Sequence, residues 1–118
     1  LIPMQCEYYA LEGLSALVDT IERIAQTANP DLQIMGLVRT MYDPRSNLSR
    51  DVSDQISVFF KDKVYNTSIP RNIRLAEAPS HGLSALDYDK SSRGALSYLA
   101  LAAEMLRKDV SAAAGVNP

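Results

Sequence analysis

The segment Leu32–Val38 constrains this chain most. It is a short, nearly continuous apolar run without strict alternation, the pattern of a strand buried on both faces, as in a parallel sheet. Helical patterns stand on either side of it. Upstream, Leu11, Leu14, Leu17, Val18, Ile21, Ile24, Ala25 and Ala28 recur at spacings of three and four, and Asn29-Pro30 ends the run. Downstream, a polar turn over 40–47 centred on Asp43-Pro44 leads into a second helix with Leu48, Val52, Ile56, Phe59 and Phe60 on one side. Leu1-Ile2-Pro3 reads as the end of an earlier buried strand whose beginning is missing. Val64–Ile69 reads as the next strand, with Tyr65, Thr67 and Ile69 facing one way. A last helix, capped by Ser91 or Ser92, runs through Leu96, Leu99, Ala102, Ala103 and Leu106. Strands joined by helical crossovers predict an α/β fold, with about three strands and three helices in a parallel sheet flanked by helices. Residues 70–89 show no clear periodicity, and loops of that length inside a compact domain are usually functional. Residues 1–110 are expected to form the domain part and residues 111–118 a flexible tail.

Composition narrows the function classes. The 118 residues suffice for one small domain, and no apolar run approaches the ~20 residues of a membrane span. One cysteine, Cys6, excludes an intrachain disulfide and fits a reducing cytosol; with the one histidine it argues against a zinc site. The net charge is −2, so the molecule as a whole is no general polyanion binder. Between Arg39 and Arg74, however, seven basic residues face four acids, which allows a local basic surface.

Most isolated chemical candidates have a plain reading. Glu7-Tyr8-Tyr9 suits the first turn of a helix, where an acid complements the dipole and tyrosines pack at an interface. His81 lies between Ser80 and Gly82, but sequence neighbours do not make a catalytic triad, and a loop-stabilising role is expected. Cys6 reads as a small core residue, and Met4, Met35, Met41 and Met105 as packing.

The run Ile69-Pro70-Arg71-Asn72-Ile73-Arg74-Leu75-Ala76-Glu77-Ala78-Pro79-Ser80-His81-Gly82 resembles the signature loop of the ParA/Soj partitioning ATPases. Other stretches agree in the same order. Residues Pro3 to Leu14 are similar to the strand-to-helix junction after that family's second switch region, and Gly36 to Arg45 to the next strand and its loop. Tyr88-Asp89 and Ser92-Arg93-Gly94-Ala95 are similar to the entry to the final helix. The resemblance spans nearly the whole chain and implies the C-terminal half of a P-loop ATPase domain. No glycine here is followed by lysine, so the phosphate-binding loop such an enzyme needs is absent from these residues.

The resemblance implies that Thr40, Met41, Asp43, Pro70, Arg71 and Asn72 lie near an adenine base; read without it, Asp43-Pro44 and Pro70-Arg71-Asn72 are turns. It implies non-specific DNA contact by Arg45 and Arg74, with Arg71 and Lys108 as weaker candidates, since guanidinium groups suit phosphate oxygens. It also implies ATP and magnesium as cofactors of the intact parent, with no tight binding expected of these residues alone. Catalytic and metal-ligating residues are not expected within them. The implied partners are non-specific DNA, a ParB/Spo0J-type centromere-binding protein and a second copy in the ATP state, with no membrane. The implied location is cytoplasmic and nucleoid-associated. The alternative is a free-standing, non-catalytic module that binds DNA or a partner. A MinD-like membrane regulator is disfavoured because no basic amphipathic helix ends the chain, and a metal-cluster carrier because there is one cysteine.

Overall fold

The computed structural model describes residues 1–113. Two parallel strands, β1 (Ile2–Gln5) and β2 (Leu37–Thr40), pair with Ile2 opposite Leu37 and Gln5 opposite Thr40. The crossover between them is α1 (Ala10–Thr27), and α2 (Asn47–Phe60) follows β2. A 3-10 turn at Lys61–Lys63 leads into an extended segment. Two short helices, α3 (Ile73–Glu77) and α4 (Ala85–Asp89), flank a 3-10 turn at Ala78–His81, and α5 (Arg93–Ala113) closes the described chain.

Alternation along β2 divides the core. Leu37 joins Ile2, Cys6, Leu14, Val52, Ile56 and Val64 on the face covered by α1 and α2. Val38 points the other way, to Tyr65, Ile69 and Leu101 of α5. Both faces are therefore covered, as the unbroken apolar pattern requires. Leu37 and Ile56 are fully enclosed, at 0% exposure. Cys6, at the end of β1, is buried, and burial pushes its thiol pKa up against a smaller opposing effect of Arg39.

Several expectations are corrected. Pairing in β2 begins at Leu37 and extends to Thr40, so Leu32–Gly36 is not strand; the register is pinned by β1, whose Ile2 N–H donates to Gly36 O at 2.9 Å. Glu7-Tyr8-Tyr9 precedes α1 instead of forming its first turn, and the acid of that turn is Glu12. Tyr8 and Tyr9 meet edge to face, 4.9 Å apart, and both are exposed. Residues 70–89 are not an irregular loop but hold α3 and α4, each capped by a side-chain oxygen: Asn72 accepts from Leu75 N–H and Ser84 from Asp87 N–H. Ser92 caps α5, accepting from Ala95 N–H at 3.2 Å. That helix continues to Ala113, into the stretch expected to be tail, and the rest of that stretch lies outside the described residues. The face of α5 expected to pack is the outer one: Leu96, Leu99 and Leu106 are exposed, while Ala95, Leu101 and Glu104 point inward.

The expected third strand is the most informative difference. Val64 bridges Leu37 and Pro70 bridges Tyr42, both in parallel sense, but no continuous ladder joins them. Tyr65 N–H donates to Leu37 O and Ile69 N–H to Arg39 O. A regular parallel ladder advances two residues on each side between such bonds, so the second donor would be Thr67. The donor is Ile69, two residues later, and the segment bulges between the bonds.

Candidate functional site

In open α/β sheets, ligands gather beyond the carboxyl ends of the strands. Here that edge is built by the chain leaving β2, residues 40–45, and by 70–72. Tyr42 N–H donates to Ile69 O at 3.1 Å and ties the two together. Met41 adopts a left-handed backbone, φ 52°, a strained state for a side chain of its size that turns the chain sharply after Thr40.

Two depressions flank the ridge Pro70–Asn72. The larger, of about 730 Å³, is lined by Thr40, Met41, Pro70, Arg71, Asn72 and Tyr98 among others. Its volume falls in the range of small-molecule sites. The smaller, of about 410 Å³, lies beside Asp43, Arg45, Arg71 and Arg93. Of the six residues expected near a base, Thr40 and Met41 line only the first, Asp43 only the second, and Pro70, Arg71 and Asn72 both. Asn72 has its side-chain oxygen committed to the cap of α3, which leaves the amide NH₂ to face a ligand. A third groove between α1 and α2 is lined by Leu11, Val18 and Phe59, with only Ser15 and Asp19 as polar side chains. It lacks the convergent polar groups of the strand-end site.

The two arginines expected to meet DNA are separated. Arg45 is exposed and pairs with Asp43, Nε to Oδ1 at 3.1 Å. Its side-chain hydrogen bond, and its backbone N–H, hold the Asp43 pKa below the ordinary value. Arg74 lies on α3, outside the basic depression, between two carboxylates: Glu77 Oε2 at 3.1 Å and Asp89 Oδ2 at 3.5 Å. Tyr88 donates its hydroxyl to the same Glu77 oxygen at 2.6 Å and stacks on His81. That hydrogen bond, followed by the one from Arg74, lowers the Glu77 pKa despite partial burial. Lys108 is used internally: its ammonium donates to Asp62 O at 2.9 Å and sits over the Tyr65 ring. Sequence reasoning missed Arg93, which joins Arg45 and Arg71 at the smaller depression. It is the first residue of α5, next to the cap Ser92.

No group of three or more histidine, cysteine or carboxylate side chains able to hold a metal occurs among the described residues. The larger depression offers apolar surface and amide groups suited to a flat ring. A triphosphate needs a row of backbone N–H donors and a lysine, and these residues supply no glycine-lysine pair.

Comparison with known proteins places the chain among named relatives. A family model described as an AAA domain matches residues 1–34. An uncharacterized Pseudomonas putida protein is 67% identical over 108 residues, 92% of this chain and 41% of the relative. The sporulation initiation inhibitor protein Soj of Bacillus subtilis is 54% identical over 104 residues, 88% of this chain and 41% of Soj. The chromosome-partitioning ATPase Soj of Treponema pallidum is 50% identical over 108 residues, 92% of this chain and 43% of the relative. The chain belongs to the ParA/Soj family of chromosome-partitioning ATPases. It spans about two-fifths of the length of these relatives.

Proposed function

We propose that this chain is the C-terminal, base-binding and DNA-facing half of a ParA/Soj-type ATPase that segregates chromosomes or plasmids. The observation that carries the reading is the depression at the carboxyl end of β2, where Thr40, Met41, Pro70, Arg71 and Asn72 converge. In the intact protein this half supplies the base contacts, while upstream residues supply the phosphate loop and the magnesium ligands. ATP drives dimerisation, and the dimer binds DNA without sequence preference through Arg45 and Arg74. A ParB-type partner stimulates hydrolysis and releases the DNA. The protein works in the cytoplasm on the nucleoid, and the 118 residues on their own are inactive as an ATPase. No helix among the described residues is long and apolar enough to cross a membrane.

The test is nucleotide binding by the full-length protein with Asn72→Ala. Loss of the amide is expected to weaken ATP binding about tenfold, the scale of one or two hydrogen bonds. Unchanged affinity would remove Asn72 and its cleft from the base site. A second reading, a non-catalytic DNA-binding module, is favoured by the smaller depression, which gathers three arginines, Arg45, Arg71 and Arg93. It requires DNA binding that is indifferent to ATP, with a salt slope reflecting only a few phosphates.

A further inference from the structure

The bulge between Tyr65 and Ile69 is held from both faces of the sheet. From the α2 side, one terminal nitrogen of the Arg39 guanidinium donates to Tyr65 O at 3.0 Å and Asn66 O at 2.9 Å. The other donates to Ser53 of α2 at 3.0 Å, and the group lies 5.7 Å from the centre of the Tyr42 ring. From the α5 side, Glu104 accepts from Asn66 N–H at 2.7 Å and Thr67 N–H at 2.8 Å. Glu104 is 4% exposed, an unusual place for a carboxylate unless it is partnered. Lys108 Nζ stands 3.9 Å from Glu104 Oε2, the oxygen that accepts from Asn66 N–H. A cation thus takes the bulge's carbonyls and an anion takes its N–H groups, replacing the ladder bonds that a regular third strand would make.

We propose that Arg39 and Glu104 are positioning residues for the base cleft, fixing the two-residue offset that brings Pro70–Asn72 level with Thr40 and Met41. The inference rests on the base-binding reading above. Neither side chain lines the cleft; they act through the segment between them. With the turn at Met41 kept and the bulge alone removed, Ser68 would take the place of Pro70 opposite Tyr42. Residues 70–72 would then sit about 6–7 Å further along, two residues of strand rise, and the ridge between the depressions would be lost. Arg39 also reaches Tyr42, so it touches both sides of the junction that the offset creates.

The test uses the full-length protein and two probes, ATP and inorganic tripolyphosphate, which shares the phosphates but has no base. Glu104→Gln and Arg39→Lys are expected to lower the ratio of ATP to tripolyphosphate affinity about tenfold, with tripolyphosphate affinity unchanged. Amide exchange at Asn66 and Thr67 should quicken in both. Glu104→Asp, which keeps the charge, should restore part of the ratio. If Glu104→Gln does not fold, Arg39→Lys decides the matter with the same readouts. A ratio unchanged in the folded clamp variants, while Asn72→Ala lowers it, would show that the clamp is structural only and overturn the proposal. A ratio unchanged in Asn72→Ala as well would refute the base-binding reading, and the proposal with it.

Discussion

Gly94→Ala tests how α5 meets the segment that carries Asn72 and Arg74. A Cβ at Gly94 would lie 2.3 Å from Leu75 Cγ, 2.7 Å from Cδ1 and 2.8 Å from Cδ2. The Cγ cannot be moved by rotating the end of the side chain, so Leu75 must change rotamer or α3 must shift. Overpacking of this kind costs about 1–3 kcal/mol. Replacing a helical glycine returns at most ~1 kcal/mol, and less in the first turn of a helix, where Gly94 sits. The net expectation is a loss of about 1–2 kcal/mol. Leu75→Ala removes all three crowding atoms, so on that background Gly94→Ala should be neutral or slightly stabilising. Equilibrium urea unfolding of wild type, both single variants and the double variant gives the coupling, expected to be about 1–3 kcal/mol in favour of the double variant. Additivity within about 0.5 kcal/mol would refute the reasoning, because the cost would then not arise from contact with Leu75.

Leu37→Ala empties a fully enclosed site between the strands and α2; a loss of about 2–5 kcal/mol is expected in denaturant unfolding. Burial raises the Glu104 pKa, but the N–H groups of Thr67 and Asn66, with Lys108, outweigh it and hold the pKa below its ordinary 4.5. A depressed folded pKa stabilises above the unfolded value, and that stability is lost as pH falls through 4.5 and below. Melting temperature should therefore drop across that range, and Glu104→Gln should flatten the drop. Glu77→Gln removes a carboxylate charge beside Arg74, so non-specific DNA affinity should rise in filter-binding or anisotropy titrations. Arg74→Ala should lower that affinity and reduce the salt slope by about 1.

Much of the architecture was legible because α1 and α2 repeat their apolar residues over several turns, and because Leu37 and Val38 are adjacent apolar residues on opposite faces. Helices α3 and α4 are too short for periodicity to register, and their caps, Asn72 and Ser84, become evident only in the fold. On α5 the pattern misled. Leu96, Leu99 and Leu106 make a regular stripe, yet the close approach at Gly94 and Ala95 and the reach of Glu104 to the bulge turn the helix so that Leu101 faces the core. The interrupted third strand was invisible for a related reason. Its cause is a carboxylate 37 and 38 residues further along the chain and a guanidinium 26 and 27 residues earlier, distances over which no local pattern carries. The residues proposed for the base site rest on family resemblance, since Pro70-Arg71-Asn72 by itself reads as a turn. Arg93 escaped because a single arginine at a helix start carries no signal until the fold sets it beside Arg45 and Arg71.

The burial of Cys6 makes the chain its own reporter. It is the single thiol of the sequence, enclosed where β1 hands over to α1 and kept in its unreactive protonated form. A thiol reagent can label it only while that junction is open. The labelling rate at increasing reagent concentration therefore separates the frequency of opening from the fraction of time spent open. Read in the full-length protein with nucleotide present and absent, this sulfur atom would register whether events beside Thr40, at the same end of the strands, tighten the junction of β1 and α1.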